Sequence, residues 1–319
     1  MFTIAVSFSI TFILLIVLLK TRLAHFALDE PNGRSLHVRI TPRTGGLAVM
    51  SGLIVTLLIT QLSLPWIWLV LALVSISLLD DISGLSVRWR FFVQFIVCGF
   101  FVFLLSHQIH YLLWIPVLFG LVWMTNLYNF MDGSDGLAGG MGLFGFSAYA
   151  VASYLIHDSQ LAIMSASIAA SCMGFLIFNF HPAKIFMGDS GSIPLGFLAG
   201  AIGVYGFIHS DWQAWFPLLV FSPFIVDATL TLFKRLLNGE RISQAHRSHY
   251  YQRLVQMGWG HKKTAIMEYI LMLLCSVSAL ILLRLSIIFV VCSLVLWMLI
   301  YLTLVIYIDK RWQQKLPYS

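Results

Sequence analysis

The chain has 319 residues, of which 60% are hydrophobic and only 10% are charged. This composition excludes an ordinary soluble domain and is typical of a polytopic helical membrane protein. The formal net charge of +6 would suggest nucleic-acid binding in a soluble protein. In a membrane protein, basic loops on the cytoplasmic side explain it better, so we expect no nucleic-acid partner.

Apolar runs recur along the whole chain, and each is long enough to cross a bilayer as a helix. The first run, 2–19, has no basic segment before it and no small-residue cleavage site after it, which predicts a retained helix. We therefore predict an all-α bundle of about eleven transmembrane helices that forms a single domain over residues 1–319. The predicted spans are 2–19, 46–62, 65–79, 91–106, 112–127, 138–156, 161–178, 192–208, 213–233, 265–283 and 286–307.

The basic residues test this count, because cytoplasmic loops carry the excess of Lys and Arg. With eleven spans, every Lys and Arg except Arg284 falls on one face. We predict that this face is cytoplasmic and that the N-terminus lies outside. The segments on this face are 20–45, 80–90, 128–137, 179–191, 234–264 and the tail 308–319.

The stretch 126–138, at the end of the fifth span and in the loop after it, places two amides, Asn126 and Asn129, and two carboxylates, Asp132 and Asp135, within ten residues. Asp and Asn are common in plain turns, so an ordinary turn between helices is the alternative. Carboxylates at the mouth of a membrane bundle are costly unless a cation or polar ligand compensates them. Four oxygen-bearing groups so close together favour a binding site.

Asp80 and Asp81 end the third span, where the helix C-terminus already carries partial negative charge. A metal ion, a proton or the following Arg88 and Arg90 should offset them. Paired acids in such a position are candidate metal ligands or a general base. A solvated start of a loop is the alternative.

Gly188, Asp189 and Ser190 come just before the eighth span. Asp189 or Ser190 could simply cap that helix. Helix N-termini also bind anions, and Asp189 could bridge through Mg²⁺ to a bound diphosphate. Phe186 lies at the edge of this segment, where it could stack on a nucleobase.

The first loop clusters Arg34, His37, Arg39 and Arg43 before Gly45-Gly46. Arginine side chains and exposed backbone amides suit phosphate oxygens. Ordinary positive charge of a cytoplasmic loop is the alternative.

The longest loop contains His246, His249 and Arg253, and a helix would place all three on one face. We predict a phosphate-binding basic face that includes Arg247, in preference to a zinc site, because no third zinc ligand is evident. Asp227, within the ninth span, is an intramembrane acid and a functional candidate by default, although the sequence names no partner for it.

Oxygen ligands without cysteine favour Mg²⁺ or Mn²⁺ over Zn²⁺. Acidic and basic loops on one membrane face fit an anionic, metal-chelated substrate such as a nucleotide diphosphate. Access from the bilayer fits a second, lipid-borne substrate. The residues by themselves thus indicate metal-assisted phosphoryl chemistry at the inner leaflet.

Four motifs then make the chain resemble a known family over about residues 30–260. It is similar to the polyprenyl-phosphate N-acetylhexosamine-1-phosphate transferases, which include the phospho-N-acetylmuramoyl-pentapeptide translocase and the enzymes that initiate O-antigen. The motifs are Asp80-Asp81, Asn126-x-x-Asn-Phe-x-Asp-Gly-x-Asp-Gly-Leu-Ala138, Phe186-Met-Gly-Asp-Ser-Gly-Ser192 and His246-Arg-Ser-His249.

The resemblance implies transfer of a sugar-1-phosphate from a UDP-N-acetylhexosamine to a polyprenyl phosphate such as undecaprenyl phosphate, with release of UMP. It implies a bacterial inner-membrane enzyme with a cytoplasmic active site, and it leaves a homodimer open. By resemblance, Asp189 binds Mg²⁺ with Asn129, Asp80 is the base, and Asp81 assists it or binds the metal. Asp132 lies near the diphosphate, and Asp135 with Phe186 near the uracil. The residues left to hold phosphate or sugar are Arg39, His246, Arg247 and His249, and Asn126 completes the substrate-binding set.

The His246-Arg-Ser-His249 motif departs from the consecutive histidines of the muramoyl-pentapeptide enzymes. The first loop, Thr41-Pro-Arg-Thr-Gly-Gly46, is closer to the O-antigen branch. N-acetylglucosamine or a deoxy-N-acetylhexosamine is therefore the favoured sugar, with the muramoyl pentapeptide as the alternative. A lipid-linked transporter or flippase is the competing class, and a lipid phosphatase is another. Two mechanisms stay open, namely direct attack by the lipid phosphate and a covalent aspartyl intermediate.

Overall fold

A computed structural model describes residues 2–21, 26–31, 35–36, 39–60, 64–241, 244 and 246–315. Arg34 and His37 of the predicted basic cluster lie outside the described residues.

The described chain is helical, and its only strands are a two-residue antiparallel pair, Leu28–Asp29 with Thr41–Pro42, in the first loop. The all-α prediction is confirmed. The helices are α1 Phe2–Lys20, α2 Gly45–Ile59, α3 Leu64–Ser83, α4 Val87–Leu104, α5 Trp114–Phe130, α6 Leu137–Leu155, α7 Ser159–Asn179, α8 Asp189–Ile208, α9 Trp215–Val220, α10 Ser222–Leu237, α11 Tyr250–Leu254, α12 Gly260–Leu282 and α13 Ile287–Lys315.

Every predicted span overlaps one of these helices, and α2 and α3 are separate, as predicted. Eight helical segments within the described residues are long and apolar enough to cross a membrane, so the protein is a multi-pass membrane protein. The three predicted spans outside this set correspond to α2, α6 and the α9–α10 pair. The total of eleven spans stays a prediction.

Short polar side chains join the helices inside the bundle. The hydroxyls of Ser7 on α1 and Ser171 on α7 lie 2.8 Å apart, and Thr11 donates to the carbonyl of Ala48 on α2 at 3.1 Å. Hydrogen bonds of this kind and small residues hold membrane helices together, because lipid offers no hydrophobic force between them. They fix α1, α2 and α7 against one another.

Two glycines let α2 and α8 approach at their first turns. A Cβ atom built on Gly46 would lie 2.3 Å from the backbone nitrogen of Gly191. The amides of Gly45 and Gly46 donate to the carbonyls of Phe186 and Met187 at 2.9 and 2.8 Å. The prediction that these backbone amides are exposed and could bind a phosphate is therefore wrong, because they bind the loop before α8 to α2.

The loops predicted to share one face do meet at one end of the bundle. A single cavity there is lined from all five of them, by Asp29, Asp81, Asp132, Phe186 and His261 among others. A second cavity, at the opposite end, is lined by residues from 152–156, 207–215 and 282–290. The alternation of loops between two ends agrees with the parity predicted from the charges.

Replacing Gly46 with Ala should destabilise the protein by about 1–3 kcal/mol, because the new methyl group meets backbone that cannot move aside. Gly99→Ala is the matched control, since a Cβ at that helical glycine meets nothing within 4 Å. Thermal unfolding in detergent measures both variants. Equal stability of the two would contradict the close crossing.

Candidate active site

The cavity at the end where the five loops meet, which we call the acidic cavity, has a volume of about 610 Å³. Carboxylates outnumber cations among its lining residues. The described lining residues are Asp29, Arg43, Asp81, Asn129, Asp132, Gly133, Ser134, Asp135, Asn179, Phe186, Gly188, Asp189 and His261. Six residues of the predicted site, namely Asp81, Asn129, Asp132, Asp135, Phe186 and Asp189, thus share one cavity.

Arg90 joins three helix ends at the edge of this cavity. Its Nη1 donates to Asp80 Oδ2 at 2.7 Å and to Asp189 Oδ2 at 2.9 Å. Asp80 also accepts from the backbone amide of Leu85 at 2.7 Å. Of the counter-charges expected for the Asp80-Asp81 pair, Arg90 is therefore the one that serves Asp80. Asp80 does not line the cavity but holds Arg90 against Asp189.

Asp81 caps helix α8. Its carboxylate accepts from the amides of Asp189 at 3.3 Å and Ser190 at 3.1 Å. Arg43 donates to the Asp81 carbonyl at 2.7 Å and lies 3.6 Å from its carboxylate. The predictions that Asp189 or Ser190 caps this helix, or that its amides hold a substrate anion, are wrong here, since Asp81 occupies that position.

Asp132 is an acid of the cavity that lies close to other carboxylates. Burial and the neighbouring carboxylates of Asp189, Asp81 and Asp29 raise its pKa well above the ordinary value. Asn129 lies beside it on the cavity wall, and its Oδ1 accepts from Ser192 Oγ at 2.9 Å. A cation in this cavity would relieve the repulsion that raises the Asp132 pKa.

The donor set of the cavity suits Mg²⁺, because it consists of carboxylate and amide oxygens without sulfur. Among the residues that the structure describes, no three acidic, histidine or cysteine side chains are grouped closely enough to hold one ion by themselves. Mg²⁺ usually takes one or two carboxylates and completes its shell with water and substrate phosphates. A metal ion in this cavity would therefore need ligands beyond the protein's own side chains.

Asp135 lies between two histidines on the far side of the cavity. Its Oδ2 lies 2.6 Å from Nδ1 of His181 and accepts from the amide of Ala183 at 3.1 Å. His261 Nδ1 lies 3.8 Å from Asp135 Oδ1 and 2.8 Å from the Ser134 hydroxyl. No pattern in the sequence indicates either histidine as a partner, because each is far from Asp135 in the chain.

Asn179 connects the two loops that carry the acids. Its Oδ1 accepts from the amide of Gly136 at 2.9 Å, and its Nδ2 donates to the Ile185 carbonyl at 2.9 Å. The side chain is buried. Its role depends on partners that are distant in sequence, so no local pattern indicates it.

A largely apolar groove adjoins the acidic cavity, with a volume of about 1890 Å³. Asn129 lines both. The groove is lined by Val87, Arg90, Phe91, Phe95, Phe119, Val122, Trp123, Asn126, Asn129, Phe130, Leu232, Gln244, His246, His249 and Gln252. Three residues of the predicted substrate set, Asn126, His246 and His249, thus lie in this groove and not in the acidic cavity. Asn126 donates to Gln94 there at 2.7 Å.

The predicted helical basic face is wrong. Helix α11 begins only at Tyr250, so His246 and His249 precede it. Burial, followed by the nearby His249 and Arg235, lowers the pKa of His246 to about 4, which leaves it uncharged at neutral pH. Arg253 donates to Ser248 O and Asp309 at 2.8 Å each, so it turns away from the groove.

Asp227 has a set of partners that the sequence could not name. Its Oδ1 lies 3.1 Å from His249 Nδ1 and accepts from the Tyr250 amide at 2.9 Å. Its Oδ2 accepts from the Tyr251 amide at 2.9 Å. Thr231, one helical turn further on, donates to Oδ1 at 3.2 Å. Asp227 therefore anchors the start of α11 together with His249.

Two further predicted site residues lie apart from both cavities. Arg39 and Arg247 are exposed, and neither lines the acidic cavity or the apolar groove. Arg43, from the same basic cluster as Arg39, does line the acidic cavity. Basic loop residues are common in the sequence, and only the fold selects which of them faces inward.

The chain has relatives among known proteins. Residues 63–207 match the model of Glycosyl transferase family 4. The chain is 32% identical over 278 residues to the probable undecaprenyl-phosphate N-acetylglucosaminyl 1-phosphate transferase of Bacillus subtilis, covering 80% of this chain and 77% of that protein. It is 30% identical to the decaprenyl-phosphate N-acetylglucosaminephosphotransferase of Mycobacterium leprae, over 76% of this chain and 74% of that protein. It is also 30% identical to the phospho-N-acetylmuramoyl-pentapeptide-transferase of Staphylococcus epidermidis, over 80% of this chain and 90% of that protein.

Replacing Asn179 with Ala should lower the free energy of unfolding by about 2–4 kcal/mol, because the amide of Gly136 and the carbonyl of Ile185 lose their buried partner. Asn238→Ala is the control, as Asn238 is exposed at the end of α10. Denaturation in detergent compares the two. An Asn179 variant as stable as the control would show that this side chain does not hold the two loops.

Proposed function

Because the chain belongs to Glycosyl transferase family 4, among the polyprenyl-phosphate N-acetylhexosamine-1-phosphate transferases, we propose the following reaction. The protein transfers an N-acetylhexosamine-1-phosphate from its UDP-sugar to a polyprenyl phosphate and releases UMP. Undecaprenyl phosphate is the proposed acceptor, since it is named in the Bacillus subtilis relative.

One observation carries this proposal: the acidic cavity and the apolar groove meet at Asn129. A polar cavity rich in carboxylates suits a metal-bound nucleotide diphosphate. A large apolar groove at membrane depth suits a polyprenyl chain. Arg90 lines the groove and pairs with Asp189 of the cavity. Its guanidinium therefore lies where the lipid phosphate and the donor diphosphate would meet.

The donor occupies the acidic cavity in this proposal. Phe186 lies on its wall and stacks on the uracil, whose imide N–H donates to Asp135. Of the two Asp135 oxygens, Oδ1 has fewer contacts, because His181 and Ala183 both contact Oδ2. Asp132, Asp189 and Asn129 then face the diphosphate.

Asp189 and Asn129 would hold Mg²⁺ in this cavity, and Mn²⁺ fits the same ligands. The bound ion would neutralise charge on the diphosphate as UMP leaves. The family resemblance assigns Asp80 the role of base. Its contact with Arg90 supports a positioning role instead, in which Asp80 holds the guanidinium beside the reacting phosphates.

The chemical step moves one phosphoryl group. An oxygen of the lipid phosphate bonds to the sugar-bearing phosphorus, and the bond from that phosphorus to the oxygen shared with UMP breaks. Arg90 and His249 are the groove residues placed to hold the lipid phosphate. A labelled covalent enzyme formed without acceptor would instead support an aspartyl intermediate.

N-acetylglucosamine is the proposed sugar, because both the Bacillus and the mycobacterial relatives carry that sugar in their names. We place the reaction at the first membrane step of O-antigen or another cell-surface glycan, on the cytoplasmic side of the bacterial inner membrane. The phospho-N-acetylmuramoyl-pentapeptide reaction is the second candidate, since the Staphylococcus relative is covered over 90% of its length.

A transporter is less well supported by the geometry. Among the predicted functional residues, Asp227 is the intramembrane acid that would suit a transporter. Its carboxylate is engaged by His249 and by the amides of Tyr250 and Tyr251, so it is part of a helix anchor and not an open relay.

The test is incubation of the purified protein with Mg²⁺, undecaprenyl phosphate and a panel of UDP-N-acetylhexosamines, with UMP release as the readout. We expect UMP with UDP-N-acetylglucosamine and none without acceptor. Free inorganic phosphate in place of UMP would indicate a phosphatase. No UMP with any donor would refute the proposal.

Asp132→Asn and Asp135→Asn should separate turnover from binding. Loss of the Asp132 charge beside the diphosphate should lower kcat by about 10- to 100-fold. Loss of the Asp135 acceptor should raise the KM for the UDP-sugar by about tenfold or more. Asp211→Asn, at the opposite end of the bundle, is the control. Steady-state kinetics with the reverse pattern would reject the assignment.

A further inference from the structure

A third cavity lies at the same end of the bundle as the acidic cavity but outside the site. It has a volume of about 1010 Å³ and lies between the π-helical turn Val255–Trp259, the start of α12 and the end of α13. Three cations line it: Lys263, Arg311 and Lys315. Nothing in the proposed reaction uses them.

No acidic residue is among the described residues that line this cavity. Asp309, two residues before Arg311 on α13, is already engaged by Lys234 and Arg253. Three positive charges thus share a cavity to which the described residues contribute no carboxylate. Like charges held together favour an anion from outside the protein.

Aromatic rings hold two of the cations in place. Lys263 Nζ lies 4.4 Å from the ring centroid of Trp259, and the Arg311 guanidinium lies 5.5 Å from that of Tyr307. Lys315 donates to the carbonyl of Gln256 and so ties the end of α13 to the π-helical turn. The cavity is therefore organised by contacts within the protein.

The depth of the cavity matches a lipid headgroup. α13 has 29 residues, more than a span requires. From Ile287, at the opposite end of the bundle, to Tyr307 the helix rises about 30 Å, the thickness of the hydrocarbon core. Tyr307 and Trp259 thus lie at the interface, where such rings are enriched, and Arg311 and Lys315 lie beyond it.

We propose that this cavity binds the phosphate headgroup of an anionic membrane phospholipid. The three cations contact the phosphate, while Leu254 and Met257 on the same wall contact the start of an acyl chain. Basic pockets between membrane helices recognise anionic lipids in this way. The site is independent of the transferase reaction, and a lipid there braces the turn that follows α11.

The test compares two triple variants with the same loss of charge at the same end of the bundle. Lys263, Arg311 and Lys315 are all changed to Gln in the first, and Lys20, Lys262 and Lys310 in the control. The control residues are exposed and do not line the cavity. Native mass spectrometry of delipidated protein measures binding of phosphatidylglycerol, phosphatidylcholine with the same acyl chains, and undecaprenyl phosphate. Thermal unfolding confirms that both variants fold.

The cavity variant should bind phosphatidylglycerol about a hundredfold more weakly than wild type, while the control binds it nearly as wild type does. Phosphatidylcholine binding should be weak throughout. Equal phosphatidylglycerol binding by the two triple variants would overturn the proposal. So would a loss confined to undecaprenyl phosphate, which would assign the cavity to the acceptor, or equal binding of the two phospholipids by wild type.

A second inference, which rests on the proposed function, concerns Asp227. Asp227 and His249 are both buried. Both carboxylate oxygens of Asp227 accept from backbone amides, and the Oδ1 that faces His249 also accepts from Thr231, so Nδ1 of His249 carries the hydrogen between them. This contact fixes the tautomer and orientation of the ring and leaves Nε2 as the atom available in the apolar groove, which His249 lines.

We infer that Asp227 is a positioning residue that presents His249 Nε2 to the phosphate of the polyprenyl acceptor. Because the contact is made through one histidine, the effect of changing Asp227 should depend on His249. A purely structural role, in which Asp227 only anchors the amides of Tyr250 and Tyr251, would not show that dependence.

A double-mutant cycle tests this inference through acceptor binding, without reference to turnover. Asp227→Asn, His249→Gln and the double variant are titrated with undecaprenyl phosphate, and binding of UDP-N-acetylglucosamine is the control for an intact acidic cavity. Each single variant should weaken acceptor binding about tenfold, and the double variant no further. Additive losses would overturn the inference, as would equal weakening of donor and acceptor binding. If the enzyme binds acceptor as expected but releases no UMP, the proposed function fails and this inference stands.

Discussion

The site depends on the pairing of buried carboxylates with positive groups where the ends of three helices converge. Arg90 pairs with both Asp80 at the end of α3 and Asp189 at the start of α8. Asp81 completes the arrangement by accepting from the first amides of α8. Buried carboxylates are tolerated only when charges and hydrogen-bond donors compensate them. Each acid of the pair is compensated by a different element, and this locks α3, α4 and α8 together below the cavity.

Close contact between backbones at glycine residues makes that arrangement possible. The loop before α8 reaches Asp80 and Asp81 because Gly46 and Gly191 let the backbones of α2 and α8 touch. The amides of Gly45 and Gly46 also donate to carbonyls of this loop. On the other side, Asn179 fixes the loop with Asp132 and Asp135 against the same segment. The acids therefore surround a cavity whose walls are all tied to neighbouring helices. Such a preorganised wall suits catalysis by positioning and electrostatics.

The acidic cavity and the apolar groove are different volumes that share an edge. Asn129 lines both the acidic cavity and the apolar groove, and His249 lines the groove with its ring fixed by Asp227. The basic cavity near α13 lies further along the same end of the bundle. One end of the bundle thus holds three distinct environments, and the surrounding helices remain apolar toward the lipid.

The sequence by itself determined the class of the protein, the alternation of its loops and most of the acidic site. Apolar runs and the distribution of Lys and Arg follow directly from the cost of placing polar groups in lipid, so they can be found without a fold. Asp81, Asp132, Asp135 and Asp189 were found because acids beside membrane spans are rare. Only the tertiary structure decided which side chains meet: Arg90 with Asp189, His181 and His261 with Asp135, and Asp227 with His249. Asp227 and His249 are 22 positions apart, and the other pairs join separate loops. Helix packing alone brings these residues together, so no periodicity in the chain predicts the contacts.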